Sequence, residues 1–305
     1  MRTDEQDWHF ILNPAAGRGR AARRWERMLP TLRAALPGMT LATSSPEVSL
    51  GELAERAVAA GHCRIVGVGG DGSHHQVLNG LVRSGRLSEV IYAPLSLGTG
   101  NDWVRTLGTP RALAAWLSRL QAGVTISHRI GELHYATPQG PQITHFLNVA
   151  GLAYDAVVVR RSERARFKHR FIYPFLTLAY LRDFRPPTVR IIYDGQTFTG
   201  PVHTINLGIG RYNGGGMRLV PQAEPTAPRL ALTFARELPL TTILAQSWRF
   251  YTGTIGAVPG VTLTQATHVT IEVLDGQLEL EADGEWLGSG PVTTSLLAET
   301  LAVVV

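Results

Sequence analysis

The sequence predicts an α/β protein in two parts: an N-terminal parallel-sheet domain over residues 1–127, then an antiparallel β-sandwich over 128–295, with 296–305 as a strand that returns to complete the first part. Three observations carry this expectation. Apolar, β-branched runs alternate with stretches of helical periodicity up to about Ser127, which is the grammar of β/α units and hence of a parallel sheet. Beyond Ser127 the pattern changes to short alternating strands punctuated by Asp194-Gly195 and Asp275-Gly276, both suited to two-residue hairpin turns. Glycine-rich loops directly follow three of the apolar runs, where open α/β sheets place their ligands.

The elements follow in order. His9 to Leu12 is the first strand, and Trp25, Met28, Leu29 and Leu32 give the first helix its apolar stripe. Ser49 to Glu52 has the spacing of a capping box ahead of Leu53, Ala57 and Val58. Arg64 to Val68 and Val90 to Leu95 are strands. Thr109-Pro110 is expected to start a helix striped by Leu113, Trp116, Leu117 and Leu120. In the second part, helices are expected only at about Ser162 to Phe184 and Thr241 to Thr252; a strand at Leu278 to Glu281 precedes Asp283-Gly284, and Leu301 to Val305 closes the chain.

The loop Gly69-Gly70-Asp71-Gly72-Ser73 is the most informative. Glycines let backbone N–H groups approach an anion closely, and a helix start behind them favours phosphate, so a nucleotide is expected. Gly67, Gly69 and Gly72 also satisfy a dinucleotide fingerprint, but Glu89, at the offset of a ribose ligand, follows a helix rather than ending a second strand. Asp71 argues against that reading: a carboxylate among phosphate-facing amides implies an intervening cation or hydroxyl, the structural alternative being an Asx-turn. Asn13-Pro14-Ala15-Ala16-Gly17-Arg18-Gly19-Arg20 and Gly98-Thr99-Gly100-Asn101-Asp102 are the companion loops.

These segments, in this order, with Val77-Leu-Asn-Gly-Leu81, His145-Phe-Leu-Asn-Val-Ala-Gly151, Gly214-Gly-Gly-Met217 and Asp283-Gly284-Glu285, resemble the diacylglycerol kinase catalytic-domain family, which includes soluble bacterial lipid kinases and relatives of the sphingosine kinases. The resemblance runs from about Phe10 to Leu287. It implies transfer of the ATP γ-phosphoryl group to a lipid hydroxyl, diacylglycerol by default, in a reaction that is mostly positioning and charge stabilisation. It further implies that Gly69, Gly70, Gly72, Ser73, Thr99 and Asn101 face the phosphates, that Asn13 and Thr43 contact the nucleotide, and that Arg18 or Arg20 offsets phosphate charge in place of a Walker lysine. Asp71 and Asp102 are the expected Mg2+-side carboxylates, with Asp71 also catalytic. Glu285 is the expected general base, projecting from the sandwich into an interdomain cleft. Gln76 stands where the family has glutamate, Ser96 where it has proline, and Ala227 where bacterial members carry an aspartate for a structural magnesium, so that site is not expected. The alternatives are a non-catalytic nucleotide or lipid binder and, less favoured, a kinase of NAD.

Composition fits. The 305 residues, 44% hydrophobic and 17% charged, can support two cored domains. The single cysteine, Cys63, excludes a disulfide framework, and Met1 to Asp7 lacks the character of a signal peptide, so a cytoplasmic protein is expected. No run of 18 or more uncharged apolar residues is present to span a membrane. Net charge is +5, and Arg160, Arg161, Arg164, Arg166, Lys168 and Arg170 cluster ahead of the apolar stretch Phe171 to Leu181. That pattern is read as a peripheral contact with anionic lipid on the inner face of the membrane. Nucleic acid is the rival partner for such a patch, and the overall reading takes lipid and no nucleic acid, with a homodimer compatible. The structural alternative is a solvated basic face followed by a core helix.

Overall fold

A computed structural model describes residues 7–98, 100–137, 140–164 and 180–305. The chain forms two compact units, Met1–Ile130 with Leu297–Val305, and Gly131–Leu296.

The first unit is a six-stranded sheet in the order β2-β1-β3-β4-β17-β5. Its strands are β1 (His9–Leu12), β2 (Thr40–Thr43), β3 (Arg64–Gly69), β4 (Ile91–Ser96), β5 (Thr125–His128) and β17 (Leu301–Val304). All pair in parallel except β5, which runs antiparallel to β17. The helices are α1 (Arg20–Ala35), α2 (Leu50–Ala59), α3 (Asp71–Arg83), α4 (Asp102–Thr106) and α5 (Leu113–Ala122). Trp25 and Leu32 of α1 and Trp116, Leu117 and Leu120 of α5 pack with Phe10, Leu12, Val66, Val68, Ala93 and Leu95, so the expected stripes are core. The Ser49 hydroxyl caps α2 by accepting from the Glu52 amide. Thr109-Pro110, however, lies in the turn after α4, and α5 begins only at Leu113.

Strand order positions the site. From β1 the chain goes outward to β2, then returns across β1 to β3. Loops leaving β1 and β3 therefore diverge, and the crevice at their C-terminal ends is the switch point where doubly wound sheets bind ligands.

Helices α2 and α3 cross with no side chains between them at Gly51 and Gly80. A Cβ on Gly80 would lie 2.1 Å from the Gly51 carbonyl oxygen. Gly80→Ala is expected to lower the unfolding free energy by about 1–3 kcal/mol through overpacking, even though alanine gains up to about 1 kcal/mol in helix propensity. Urea denaturation measures it, and wild-type stability would mean that α2 slides without cost.

The second unit begins with β6 (Gly131–Thr137), β7 (Gly140–Phe146) and β8 (Val149–Ala153), and continues with α6 (Tyr154–Arg164), β9 (Thr188–Tyr193) and β10 (Gln196–Gly208). After these come β11 (Leu230–Arg236), α7 (Leu240–Gln246), α8 (Arg249–Thr252), β12 (Val261–Ala266), β13 (His268–Asp275), β14 (Glu279–Ala282), β15 (Glu285–Ser289) and β16 (Val292–Leu296). The strands are antiparallel, and β10 belongs to two sheets. Its first half, through Pro201, pairs with β9, continuing to β13, β16, β6 and β7. Its second half, from Val202 to Gly208, pairs with β11 and β8, continuing to β12 on one side and to β14 and β15 on the other. A strand that changes sheet at a bend makes a sandwich corner. The enclosed core includes Phe146, Ile191, Val202, Ile205, Phe234 and Ile271.

Asp194-Gly195 makes the expected hairpin, with φ of 45° and 80°. Asp275-Gly276 does not: β13 pairs with β9 and β16, and the chain leaves Gly276 for β14, which pairs with β8. The helix expected from Ser162 begins instead at Tyr154, directly after β8 and without a loop, so no punctuation marks its start; residues 180–183 are helical, and 165–179 lie outside the described residues. The helix expected over Thr241 to Thr252 is divided into α7 and α8.

Candidate functional site

Each unit contributes a constellation of its own. In the first, the loops after β1, β3 and β4 converge at the switch point. Asn13 Nδ2 donates to Ser73 Oγ at 2.9 Å, and the Gly70 amide donates to the same hydroxyl at 3.3 Å. The backbone amides of Leu97 and Gly98 donate to the Gly69 carbonyl. Gly98 and Gly70 approach so closely that a Cβ on Gly98 would lie 2.6 Å from the Gly70 Cα. Behind them starts α3, whose first-turn amides and positive dipole end favour an anion. Gly72 sits in that first turn, inside the helix.

Asp71 connects two of the loops. Its Oδ2 accepts from the Asp102 amide at 3.2 Å, and its Oδ1 faces the Trp103 amide at 3.4 Å, which caps α4 from outside. The role expected of this carboxylate is chemical; the contacts seen here are structural. Asp102 is buried, and Asn101 Nδ2 donates to the Gly98 carbonyl at 3.1 Å while its Oδ1 is buried without a hydrogen-bond partner among the described residues. Arg18, with φ of 61°, and Thr43, at the end of β2, are both exposed near this crevice. Thr99 lies outside the described residues.

Sequence reasoning missed an aromatic and polar stack behind the loop. His74 Nδ1 lies 2.7 Å from the Tyr92 hydroxyl and its Nε2 3.3 Å from Ser96 Oγ. Trp103 packs against His74 and donates its indole N–H to His128 Nε2 at 3.0 Å. His128 Nδ1 lies 2.5 Å from the Arg129 carbonyl. Burial pushes the Tyr92 phenol well above its ordinary range. Helix and strand spacing brings these rings together, but no local motif marks them.

In the second unit, Ala282-Asp283-Gly284-Glu285 is a two-residue hairpin with φ of 52° and 88° at its centre, joining β14 to β15. The Asp283 carboxylate is buried and accepts from three consecutive amides, Leu147 at 2.9 Å, Asn148 at 2.9 Å and Val149 at 3.3 Å. Glu285 opens β15 opposite Ala282 and is partly exposed. Beneath the turn, Glu281 is 1% exposed and its Oε2 accepts from the Gly284 amide at 2.8 Å. Asp155, in the first turn of α6, accepts from Thr204 Oγ1. Burial raises the pKa of both acids, and for Glu281 the charges of Asp155 and Asp283 raise it further, to well above the carboxylate range.

This has a pH consequence. A carboxyl whose folded pKa exceeds its unfolded value stabilises the fold fully only below the unfolded value, and that stabilisation is lost as pH rises through the folded one. Glu281→Gln, which mimics the protonated acid, is therefore expected to flatten the decline of stability from about pH 5 upward and to match or exceed wild type at pH 8. Denaturation midpoints across pH measure it, and parallel curves would show that Glu281 ionises as it does in water.

Two members of the basic cluster are engaged within the unit. Arg160 pairs with buried Glu279 at 2.6 Å, and the Arg161 guanidinium lies 4.6 Å from the centre of the Tyr180 ring. The Arg164 side chain, Arg166, Lys168, Arg170 and Phe171 to Ala179 lie outside the described residues. Among the described residues, no three His, Cys, Asp or Glu side chains group to hold a metal.

Residues 7–133 match the family described as the diacylglycerol kinase catalytic domain, and residues 148–305 match the YegS C-terminal NAD kinase beta sandwich-like domain. A diacylglycerol kinase of Staphylococcus carnosus is 24% identical over 96% of this chain and 93% of its own length. Among solved structures, a diacylglycerol kinase from Bacillus anthracis superposes with a TM-score of 0.72 at 20% identity, over 98% of this chain and 96% of that one. An NAD kinase from Archaeoglobus fulgidus, solved in complex with ATP, gives 0.52 at 14% identity, over 98% and 93%. These two similarities speak to fold.

Proposed function

This chain belongs to the diacylglycerol kinase family, and from that membership we propose that it is an ATP-dependent lipid kinase acting on a diacylglycerol-like alcohol. The observation that carries the reading is the convergence of three strand-end loops on the N-terminus of α3, with Asp71 held at their junction. That geometry suits the β- and γ-phosphates, where catalysis is positioning and charge stabilisation. Arg18 and Arg20 supply cationic charge where no Walker lysine exists. Asp71 and Asp102 are the carboxylates that would hold Mg2+. Two acids fit that ion, which takes one or two carboxylates and completes its shell with phosphate oxygens and water. Bound there, it would neutralise developing phosphate charge.

The Glu285 carboxylate takes the proton of the lipid hydroxyl as the hydroxyl oxygen bonds to γ-phosphorus. The bond from γ-phosphorus to the β,γ-bridging oxygen breaks, and ADP leaves with that oxygen. Asp283 and Glu281 hold the turn that presents Glu285. The acceptor alcohol stays in a bilayer, so the reaction takes place at the cytoplasmic membrane face, where ATP is available.

The test is incubation of purified protein with γ-labelled ATP, Mg2+ and a total lipid extract, with NAD as a parallel acceptor, read by mass spectrometry. A phosphorylated lipid alcohol is expected. Product from NAD alone, or from no acceptor, overturns the reading.

A further inference from the structure

Helix α7 buries none of its residues in the chain, although Leu240, Ile243 and Leu244 are among its seven. With α8 it forms an almost continuous helical segment, tightened at Ser247, along which Leu240, Leu244, Trp248 and Tyr251 recur at spacings of four, four and three. That spacing puts all four on one face. They are 40%, 43%, 53% and 58% exposed. Scattered apolar residues at a surface need no explanation, but a row of four large ones on a helix does.

The opposite side is anchored. Phe250 packs against the cluster of Val149, Leu219, Val220 and Ile255, and its carbonyl accepts from the Arg218 amide at 2.5 Å. The exposed face is thus presented by a fixed element.

Charge points to the occupant. From Leu238 to Ile271 the chain carries no Asp, Glu or Lys, and its one arginine is Arg249. That guanidinium lies 4.5 Å from the centre of the Trp248 ring and is steadied by its Nε donating to Gln246 Oε1 at 2.6 Å. Aliphatic side chains flanked by Trp, Tyr and Arg, with hydroxyls around them and no carboxylate, match the headgroup boundary of a bilayer, where indole and phenol rings place one end in hydrocarbon and the other in water. A protein partner would be expected to meet a rim of both charges, whereas the charges at this helical segment are the cations Arg249 and Arg218, the latter running against Gly253, and the nearest acid in the sequence, Glu237, precedes the helix.

We propose that the α7–α8 face, through Leu240, Leu244, Trp248 and Tyr251 with Arg249, docks the protein on a bilayer surface containing anionic lipid. The choice of occupant rests on the lipid-kinase reading. The surface differs from the Arg160 cluster, two of whose arginines are turned to internal partners.

The test uses the full chain, without nucleotide, and vesicles of phosphatidylcholine with about 30% phosphatidylglycerol. Wild type is expected to co-sediment, and Leu244→Ser with Trp248→Ser to bind at least about tenfold more weakly at an unchanged melting temperature. Phosphorylation of a water-soluble short-chain diacylglycerol should be equal in the two proteins, while phosphorylation of the same lipid class in vesicles falls. Loss of vesicle binding in the variant supports the docking face even if neither protein phosphorylates any lipid, which separates the two readings. Equal vesicle binding by both proteins, or no binding by wild type, overturns the proposal. So does sedimentation showing a wild-type dimer that the substitutions dissolve, because the face would then belong to a second copy.

Discussion

Glu285→Gln is expected to lower kcat for lipid phosphorylation by about 10²–10⁴-fold, the usual contribution of a general base, with nucleotide affinity and melting temperature unchanged. Glutamine keeps the size and polarity of the side chain and removes its ability to take the hydroxyl proton. Glu285 is partly exposed at the start of β15, and glutamine is isosteric with it. Calorimetric titration with a non-hydrolysable ATP analogue, beside single-turnover kinetics, separates binding from chemistry. Turnover within a few-fold of wild type would move the base elsewhere and leave the hairpin a structural feature.

Asp283→Ala is expected to be the most destabilising single change in the turn. Its carboxylate satisfies three consecutive buried amides at the entry to β8, and leaving buried donors unpaired costs about 1–3 kcal/mol each, so a loss of about 3–5 kcal/mol is expected. For a unit of this size that lowers the melting temperature by about 10 °C. Asp283→Asn distinguishes the causes. Asparagine accepts the left-handed φ of 52° as readily as aspartate, but it replaces one acceptor oxygen with a donor facing amides. Near-wild-type stability of Asp283→Asn would assign the role to backbone conformation. Stability close to that of the alanine variant would assign it to the amides.

The alternation of strands and helices made the first unit legible, because β1, β3 and β4 are buried on both faces and read as continuous apolar runs. The loops were legible because glycine follows each run. What escaped were partnerships across long sequence separation. Nothing near Asp71 announces that it caps a helix starting 31 residues later, and nothing near Asp283 announces amides 134 to 136 residues earlier. Leu278-Glu279-Leu280-Glu281 reads as a strand, and its alternation alone does not say what would meet the two glutamates. The structure buries all four residues of β14, because α6 covers the polar face and supplies Arg160 to Glu279 and Asp155 beside Glu281. The failure at Asp275-Gly276 has the same origin: a turn dipeptide specifies a local bend, while strand pairing is decided by distant partners.

The place of β17 in the first sheet sets a timetable for biosynthesis. It sits between β4 and β5, pairing with both. Until it arrives, β4 is a bare edge and β5 has no neighbour in the sheet, yet between β5 and β17 the ribosome must make the whole of the second unit. At 5–20 residues per second that interval lasts about 10–30 s. A nascent chain must carry an unfinished first sheet through that time, with an open strand edge exposed to aggregation and to chaperones. The sandwich, whose strands are contiguous in the chain, can finish first. The first sheet would then be completed in one late step, when four residues slide into a slot prepared long before.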